Sequence, residues 1–127
     1  MKRLINKRLL LIVTFLFVSF EITAEFATWS LASTSCSEVI KEVEEFKRSN
    51  DEMFLQDMIE LDIQGYLTGR NLAFADTGDF SKLRDLGFNS VSFAYEYLLN
   101  YCRRNPGKVV SRGLNEYHES LPQYQMK

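Results

Sequence analysis

The sequence has a single histidine, two cysteines and two prolines. His118 has no cysteine nearby and forms no H-E-x-x-H motif with its glutamate neighbours, so the common zinc sites are excluded. No serine lies in a G-x-S-x-G segment, and neither cysteine has a recognisable general base beside it. No segment alternates apolar and polar residues between hairpin turns, as a strand would. We therefore expect an all-α, non-enzymatic protein with no catalytic residues, no metal and no other cofactor.

Acidic residues offer two further candidates for a chemical site. Asp57, Glu60 and Asp62 could supply a general acid and base, but on one helix they are more typical of a solvated face. Asp76 and Asp79 stand in D-T-G-D, which resembles the start of a calcium loop, but the remaining ligand positions of an EF-hand are missing. We expect solvated side chains here, and we expect His118 on the outward side of the last helix.

Residues 1–24 have the composition of a secretory signal peptide. Two lysines and two arginines precede the twelve-residue apolar run Leu9–Phe20, which is short for a membrane span. Cleavage is expected after Ala24, although Ile22, three residues before the cleavage point, is larger than the small residue usual there. An uncleaved N-terminal anchor is the alternative. The sequence therefore predicts a periplasmic or secreted protein with a loose lead-in at 25–34 and one domain at 35–127.

Removal of the signal peptide would change the charge of the chain. Four of the 15 basic residues and one of the 17 acidic residues leave with it, so the mature net charge is −5. No basic patch with interleaved aromatic residues remains, which argues against a nucleic-acid partner. No membrane contact is expected after cleavage, and an acidic surface suits either simple solubility or a basic protein partner.

Cys36 and Cys102 both lie in the predicted mature chain. Two cysteines in an exported protein most simply form one disulfide, since a redox pair would be expected in a C-x-x-C spacing. The bridge would close a loop of about 67 residues, which the chain-entropy treatment values at roughly 4 kcal/mol. We therefore predict a structural disulfide.

Apolar residues with helical spacing predict a bundle of four main helices and one short helix. Ser35 and Glu38 have the spacing of a capping box and open the first helix. The second helix is predicted from about Asp51 to Arg70, with an apolar side formed by Leu55, Met58, Ile59, Ile63, Tyr66 and Leu67.

The rest of the chain is predicted to be helical in three parts. A short helix is expected within 77–87 and ends at Gly87. A third helix starts after Asn89 or Ser90 and carries Cys102 on its buried side. A last helix starts near Gly107, with Asn105 and Pro106 before it, and turns Val110, Leu114, Tyr117 and Leu121 inward until Pro122 ends it.

Gly65 and Gly69 lie four residues apart in the second predicted helix. Each costs about 1 kcal/mol relative to alanine in a helix interior. The patterns of phosphate-binding glycine loops are absent, so close packing of a neighbouring helix is the favoured explanation. Arg70 and Asn71 would then cap the helix end, hold the following loop or touch a partner. Capping is the default interpretation.

The order of motifs resembles two groups of small exported bacterial proteins. The segments are an early Cys36 opening a helix, the stretch QGYLTGRN (residues 64–71), and CRRNP (residues 102–106) before a final helix. They resemble the Rap/Tai immunity proteins of type VI secretion and the acid-stress chaperones HdeA and HdeB. The resemblance spans about Cys36 to Leu121. It implies a helical, disulfide-linked, non-enzymatic periplasmic protein that self-associates.

The two groups imply different partners. On the immunity interpretation the protein blocks the active site of a toxic peptidoglycan amidase, with residues 71–89 as the inserting loop. The partner contacts would then come from Tyr66, Arg70, Asn71, Asp76, Asp79 and Phe80. The cysteine-containing tail common among such immunity proteins is absent. On the chaperone interpretation acid neutralises carboxylates, loosens a homodimer and exposes apolar faces to unfolded clients, although the cysteines of that group lie closer together.

Overall fold

The computed structural model describes residues 30–125. The predicted signal peptide and the first residues of the lead-in lie outside the described residues. Two 3-10 turns, at Leu31–Ser33 and Phe80–Lys82, accompany four α-helices, and the order of the helices along the chain is α1 (Cys36–Ser49), α2 (Glu52–Asp76), α3 (Val91–Arg104) and α4 (Val110–Ser120). The predicted all-α fold is confirmed. No helix within residues 30–125 is both long and apolar enough to cross a bilayer.

Helix α1 begins where the capping box predicts it. The Ser35 hydroxyl accepts the Glu38 N–H, and the Glu38 carboxylate accepts the Ser35 N–H at 3.0 Å. These two bonds satisfy donors that the first turn of a helix otherwise leaves unpaired. The helix ends at Asn50, whose φ of 63° is the left-handed conformation common just after a helix.

Helix α2 ends six residues later than predicted, because it continues past Arg70 to Asp76. Gly65 and Gly69 do not end it, since the following segment LAFA consists of helix-forming and apolar residues. The helix ends at Thr77, and Gly78 then adopts a φ of 74°. Leu55, Ile59, Ile63 and Leu67 form the buried side as predicted, whereas Met58 is exposed.

The predicted short helix between α2 and α3 is only the 3-10 turn Phe80–Lys82. Residues 83–85 instead run extended beside the C-terminal segment, where Arg84 forms an isolated antiparallel bridge with Gln123. Backbone hydrogen bonds of 2.8 and 3.0 Å on either side of this bridge join Asp85 to Pro122 and Tyr124 to Leu83. The connection between α2 and α3, residues 77–90, is thus attached to the end of the chain.

Helix α3 starts after Ser90, whose hydroxyl accepts the Phe93 N–H, as predicted. Helix α4 starts at Val110 rather than near Gly107. The segment between α3 and α4 is not helical but forms backbone hydrogen bonds with the start of the domain. The Lys108 carbonyl accepts the Cys36 N–H at 2.8 Å, and the Thr34 carbonyl accepts the Val110 N–H at 2.9 Å. This pairing holds the segment before α1 against the segment before α4.

The four helices enclose one apolar core, to which each of them contributes buried side chains. The disulfide Cys36–Cys102 is confirmed, with both residues fully buried, and it joins the start of α1 to the end of α3. The lead-in is less loose than expected from Ser30 onward, because Leu31 is buried in this core. The predicted inward positions of α4, namely Val110, Leu114, Tyr117 and Leu121, are all buried.

Candidate functional site

The side of α2 that faces away from the core carries a stripe of large apolar residues. Phe54, Leu61 and Leu72 are 64%, 67% and 59% exposed, and Met58 is also exposed. At 3.6 residues per turn these four side chains fall within about 60° of arc, and the stripe runs for about 27 Å along the helix. We call Phe54, Met58, Leu61 and Leu72, with Gly65 and Gly69 between them, the α2 outer face.

The two glycines of the α2 outer face do not support packing within the described chain. A Cβ atom built on Gly65 or on Gly69 would meet nothing within 4 Å. No helix within residues 30–125 therefore packs closely against these glycines, and the predicted close packing of a neighbouring helix stays a prediction. The close approach occurs at Gly113 of α4, where a Cβ would lie 2.6 Å from Cδ1 of Tyr101. The glycines of α2 are left as a flat, open stretch in the middle of an apolar stripe.

Carboxylates border the α2 outer face on both sides. Asp57 and Asp62 lie on opposite flanks of the stripe, by the same helical spacing, and both are exposed. Between Arg48 and Arg70 the sequence has five acidic residues and no basic one. A surface with an apolar centre and a negative border is complementary to a partner with an apolar centre and a basic border.

Near its C-terminal end, α2 holds the following connection through the side chain of Asn71. The Asn71 Nδ2 donates to the Arg84 carbonyl at 2.8 Å, and the Arg84 N–H donates to Asn71 Oδ1 at 3.1 Å. The carboxamide thus pairs with the backbone of Arg84 as a neighbouring strand would. Of the three roles considered for Asn71, holding the following loop is the one that the structure contains, and capping is excluded because the helix continues.

His118 was expected on the surface, and this prediction is wrong. Its side chain is 1% exposed, and its Nε2 lies 2.9 Å from Asn71 Oδ1. Because the Arg84 backbone fixes Oδ1 as an acceptor, Nε2 carries the proton and Nδ1 is the unprotonated nitrogen of the neutral ring. Burial first, and then the positive charges of Arg70 and Arg84, lower the pKa of His118 to about 4.

Tyr66 and Arg70, two of the predicted partner contacts, bond to α4 instead. The Tyr66 hydroxyl donates to Asn115 Oδ1 at 2.7 Å, and the Arg70 guanidinium donates to the same oxygen. Arg70 also lies 3.6 Å from the Glu119 carboxylate and 5.3 Å from the centroid of the Phe74 ring. Together with Asn71, these residues fasten α4 and the connection to α2.

The remaining predicted contacts lie at the start of the connection. Phe80 is 48% exposed and Asp76 is exposed, so both are open to a partner. Asp79 forms an ion pair with Lys82 at 2.6 Å, and hydrogen bonds from Lys82 and Ser81 lower its pKa. No group of three or more potential metal ligands occurs among residues 30–125.

A pocket with a volume of about 410 Å³ lies between α2, the connection and α3. Its lining residues with polar side chains are Gln64, Thr68, Asn89, Ser90 and Tyr117. Its lining contains no carboxylate, histidine or cysteine, and hence no nucleophile with an adjacent base. This pocket therefore offers no arrangement for acid–base or covalent chemistry.

The sequence-based predictions missed the α2 outer face. Phe54, Leu61 and Leu72 were not singled out, and Met58 was placed on the wrong side of the helix. Their spacing of four, three and eleven residues was nonetheless visible as a second apolar stripe opposite Leu55, Ile59 and Ile63. A helix with apolar residues on two opposite sides indicates two buried surfaces, one in the core and one elsewhere.

Comparisons with known proteins found no matching family model, no matching curated protein and no matching solved structure.

Proposed function

We propose that this protein is exported, is not an enzyme, and acts by binding another protein, most like an immunity protein that blocks a cell-wall-degrading toxin. The observation that carries the proposal is the α2 outer face, where Phe54, Leu61 and Leu72 are each more than half exposed. Contiguous exposed apolar surface on a small domain is typical of a binding site. The buried disulfide is compatible with an oxidising compartment outside the cytoplasm.

The proposed partner has a basic surface around an apolar centre. Asp57 and Asp62 would face its lysine or arginine residues, and Leu61 between them would enter its apolar centre. Charges at the border of an interface mainly steer association, whereas apolar residues at its centre hold the complex together. Gly65 and Gly69 would let a helix or strand of the partner approach the α2 backbone closely, since nothing in residues 30–125 fills the space beside them.

The connection between α2 and α3 would provide a second contact with a toxin. Phe80 and Phe88 are 48% and 60% exposed on it, and Asp76 stands at its start. The connection is held in one shape by Asn71 and by the bridge from Arg84 to Gln123. A preformed loop loses little conformational entropy on binding, which suits a segment that enters an active site. Residues 71–76 belong to α2, so we propose the rest of the predicted loop, residues 77–89, as the inserting segment.

An acid-stress chaperone resembling HdeA and HdeB is the second candidate, and His118 is the observation that favours it. A buried histidine with a pKa near 4 makes the folded state less stable in acid. Its contacts fasten α4 and the connection to α2, so their loss in acid would expose apolar surface. Unfolded clients would then bind the exposed surface.

The proposal is tested with the toxin encoded beside the gene of this protein. Titration calorimetry at neutral pH is expected to give tight, one-to-one binding, and the cell-wall hydrolysis of the toxin should stop at one equivalent. Absence of binding to that toxin, or absence of such a neighbouring gene, would remove the immunity assignment.

The chaperone candidate has a separate test. A protein of that kind should bind a hydrophobic dye between about pH 2 and 3 and keep an unfolded client soluble there. A chain that stays folded and binds no dye at that pH is not such a chaperone. The same chain can still pass the toxin test, because that test is made at neutral pH.

A further inference from the structure

A second pocket lies between α2, the connection and α4, and three of its six lining residues are cationic. It has a volume of about 340 Å³ and is lined by Arg70 and Phe74 of α2, Lys82 and Arg84 of the connection, and His118 and Glu119 of α4. Three permanent cations thus meet in one cavity of a chain whose predicted mature form carries a net charge of −5.

Arg70, Lys82 and His118 all lie close to the aromatic ring of Phe74. The Arg70 guanidinium carbon and the Lys82 ammonium lie 5.3 and 5.5 Å from its centroid. The His118 ring centroid lies 5.9 Å away. Each cation is attracted to the electron-rich ring, but the cations repel one another, and that repulsion would be relieved by an anion between them.

The positive charge of the pocket is incompletely neutralised by the protein. Lys82 is paired with Asp79, and Arg70 is paired with Glu119 at 3.6 Å, too long for a good hydrogen bond. Arg84 has no ion pair with any described residue, since its Nη1 donates only to the Ser81 and Leu83 carbonyls. At least one full positive charge therefore remains without a counter-charge.

The two arginine residues that line this pocket each have one buried donor without a hydrogen-bond partner. These donors are the Nε atoms of Arg70 and Arg84, which are the orphaned buried side-chain polar atoms of residues 30–125. Buried polar groups are normally satisfied, so an unpaired donor indicates a water, an ion or a ligand that completes the site. Two unpaired arginine donors beside one cavity indicate an acceptor that carries negative charge.

From these observations we propose that the pocket lined by Arg70, Phe74, Lys82 and Arg84 binds an oxyanion, the chemical group shared by phosphates and carboxylates. Planar guanidinium groups match the oxygens of both anions, and the Lys82 ammonium supplies a further point charge. This site lies apart from the α2 outer face and does not depend on the proposed protein partner.

Glu119 acts as the internal competitor for this site. Its carboxylate approaches Arg70 loosely and its side chain is 67% exposed, so it can turn outward when an anion enters. Removal of its charge should strengthen anion binding, whereas removal of the Lys82 charge should weaken it. The two substitutions therefore have opposite expected effects at one site.

His118 provides a built-in reporter because it is the only histidine in the sequence. A single set of imidazole NMR signals can be followed while sodium phosphate or sodium acetate replaces sodium chloride at constant ionic strength and pH. An anion beside the ring favours the charged imidazolium, so the pKa of His118 should rise from about 4 when the site fills.

The expected result is a saturable shift of the His118 signals with phosphate, and no saturation with chloride. Glu119→Gln should tighten binding about fivefold and Lys82→Gln should weaken it about fivefold. Glu45→Gln and Lys41→Gln serve as matched controls, because these residues form an exposed ion pair on α1 away from the pocket. The controls should change the affinity less than twofold.

Saturation by phosphate alone would assign the site to a phosphate group, and saturation by acetate as well would assign it to oxyanions in general. The proposal is overturned if neither anion gives a saturable shift. It is also overturned if the control substitutions change the affinity as much as those at Lys82 and Glu119, because the effect would then reflect net charge.

Discussion

The Nε2 of His118 lies 2.9 Å from the Oδ1 of Asn71, and this contact joins α4 to α2 inside the protein. Asn71 at the same time holds the backbone of Arg84, so one carboxamide connects three segments of the chain. The histidine is neutral in this arrangement, with its pKa lowered to about 4 by burial and by two nearby arginines.

This contact makes the stability of the fold depend on pH. In the unfolded chain the imidazole takes up a proton near its ordinary pKa of 6.5, whereas in the folded chain it does so only near pH 4. The unfolded state therefore binds more protons between these values, and the free energy of unfolding falls as the pH is lowered from 6.5 to 4. The full loss is about 3 kcal/mol.

Urea unfolding at pH 7 and at pH 4.5 measures this dependence. In the His118→Gln variant, which cannot titrate at this position, the difference between the two pH values should shrink to the part contributed by carboxylates. An equally large difference in the variant would show that His118 is not the titrating group.

Two glycine-to-alanine substitutions should change stability in opposite directions. Gly65→Ala fills open space on an exposed helix and should raise the free energy of unfolding by about 1 kcal/mol. Gly113→Ala places a methyl group 2.6 Å from the buried ring of Tyr101, which cannot move away, and should lower it by about 1 to 3 kcal/mol. Thermal unfolding of both variants beside the unsubstituted protein checks the signs. A loss of stability in Gly65→Ala would mean that this position is packed.

The disulfide should contribute a large part of the stability. Cys36→Ser removes the bridge between α1 and α3 and is expected to lower the free energy of unfolding by about 4 kcal/mol. The double variant Cys36→Ser/Cys102→Ser also lacks the second thiol. It therefore controls for the reactive cysteine that the single variant leaves. Melting temperatures of both variants within about 2 °C of the original protein would contradict a stabilising role.

Local sequence signals predicted the parts of the fold that local chemistry determines. The capping box at Ser35 and Glu38 located α1, and the two cysteines of an exported chain predicted the bridge. The end of α2 was missed because Arg70 and Asn71 were taken as capping residues, whereas the helix continues to Asp76. The true stop is Gly78, the position at which the backbone requires a positive φ.

The errors at the candidate sites came from contacts between distant parts of the chain. His118 stands four residues after Leu114 and three before Leu121, so its place on the buried side could have been predicted. Its partner Asn71 could not, because the two residues are 47 positions apart and no local motif connects them. The cationic pocket likewise collects Arg70, Lys82 and Arg84 only once the connection folds back on α2.

The acidic border of the α2 outer face should control the rate of association with a basic partner. Replacement of Asp57 and Asp62 by asparagine is expected to slow association several-fold at low salt and to reduce its dependence on ionic strength, with little change in the dissociation rate. Glu44→Gln and Glu45→Gln on α1 are the matched controls, since they remove the same charge elsewhere. Surface plasmon resonance at two salt concentrations separates the two rates. A change confined to dissociation would contradict the steering role.

A second copy of the chain is the main competitor for the α2 outer face. Sedimentation of the protein alone distinguishes a second copy from a different protein partner. If the face binds a second copy, the protein sediments as a dimer and the Leu61→Ser variant sediments as a monomer. The proposed role predicts that the free protein leaves this face open, and a dimer that depends on Leu61 would contradict it.

The most direct test of the central claim is the affinity for the toxin encoded by the neighbouring gene, measured for Leu61→Ser and Val109→Ser. Both substitutions shorten an exposed apolar residue, but only Leu61 belongs to the α2 outer face, whereas Val109 precedes α4. We predict that Leu61→Ser weakens binding at least about tenfold while Val109→Ser changes it less than twofold. Equal affinities for the two variants would contradict binding through the α2 outer face.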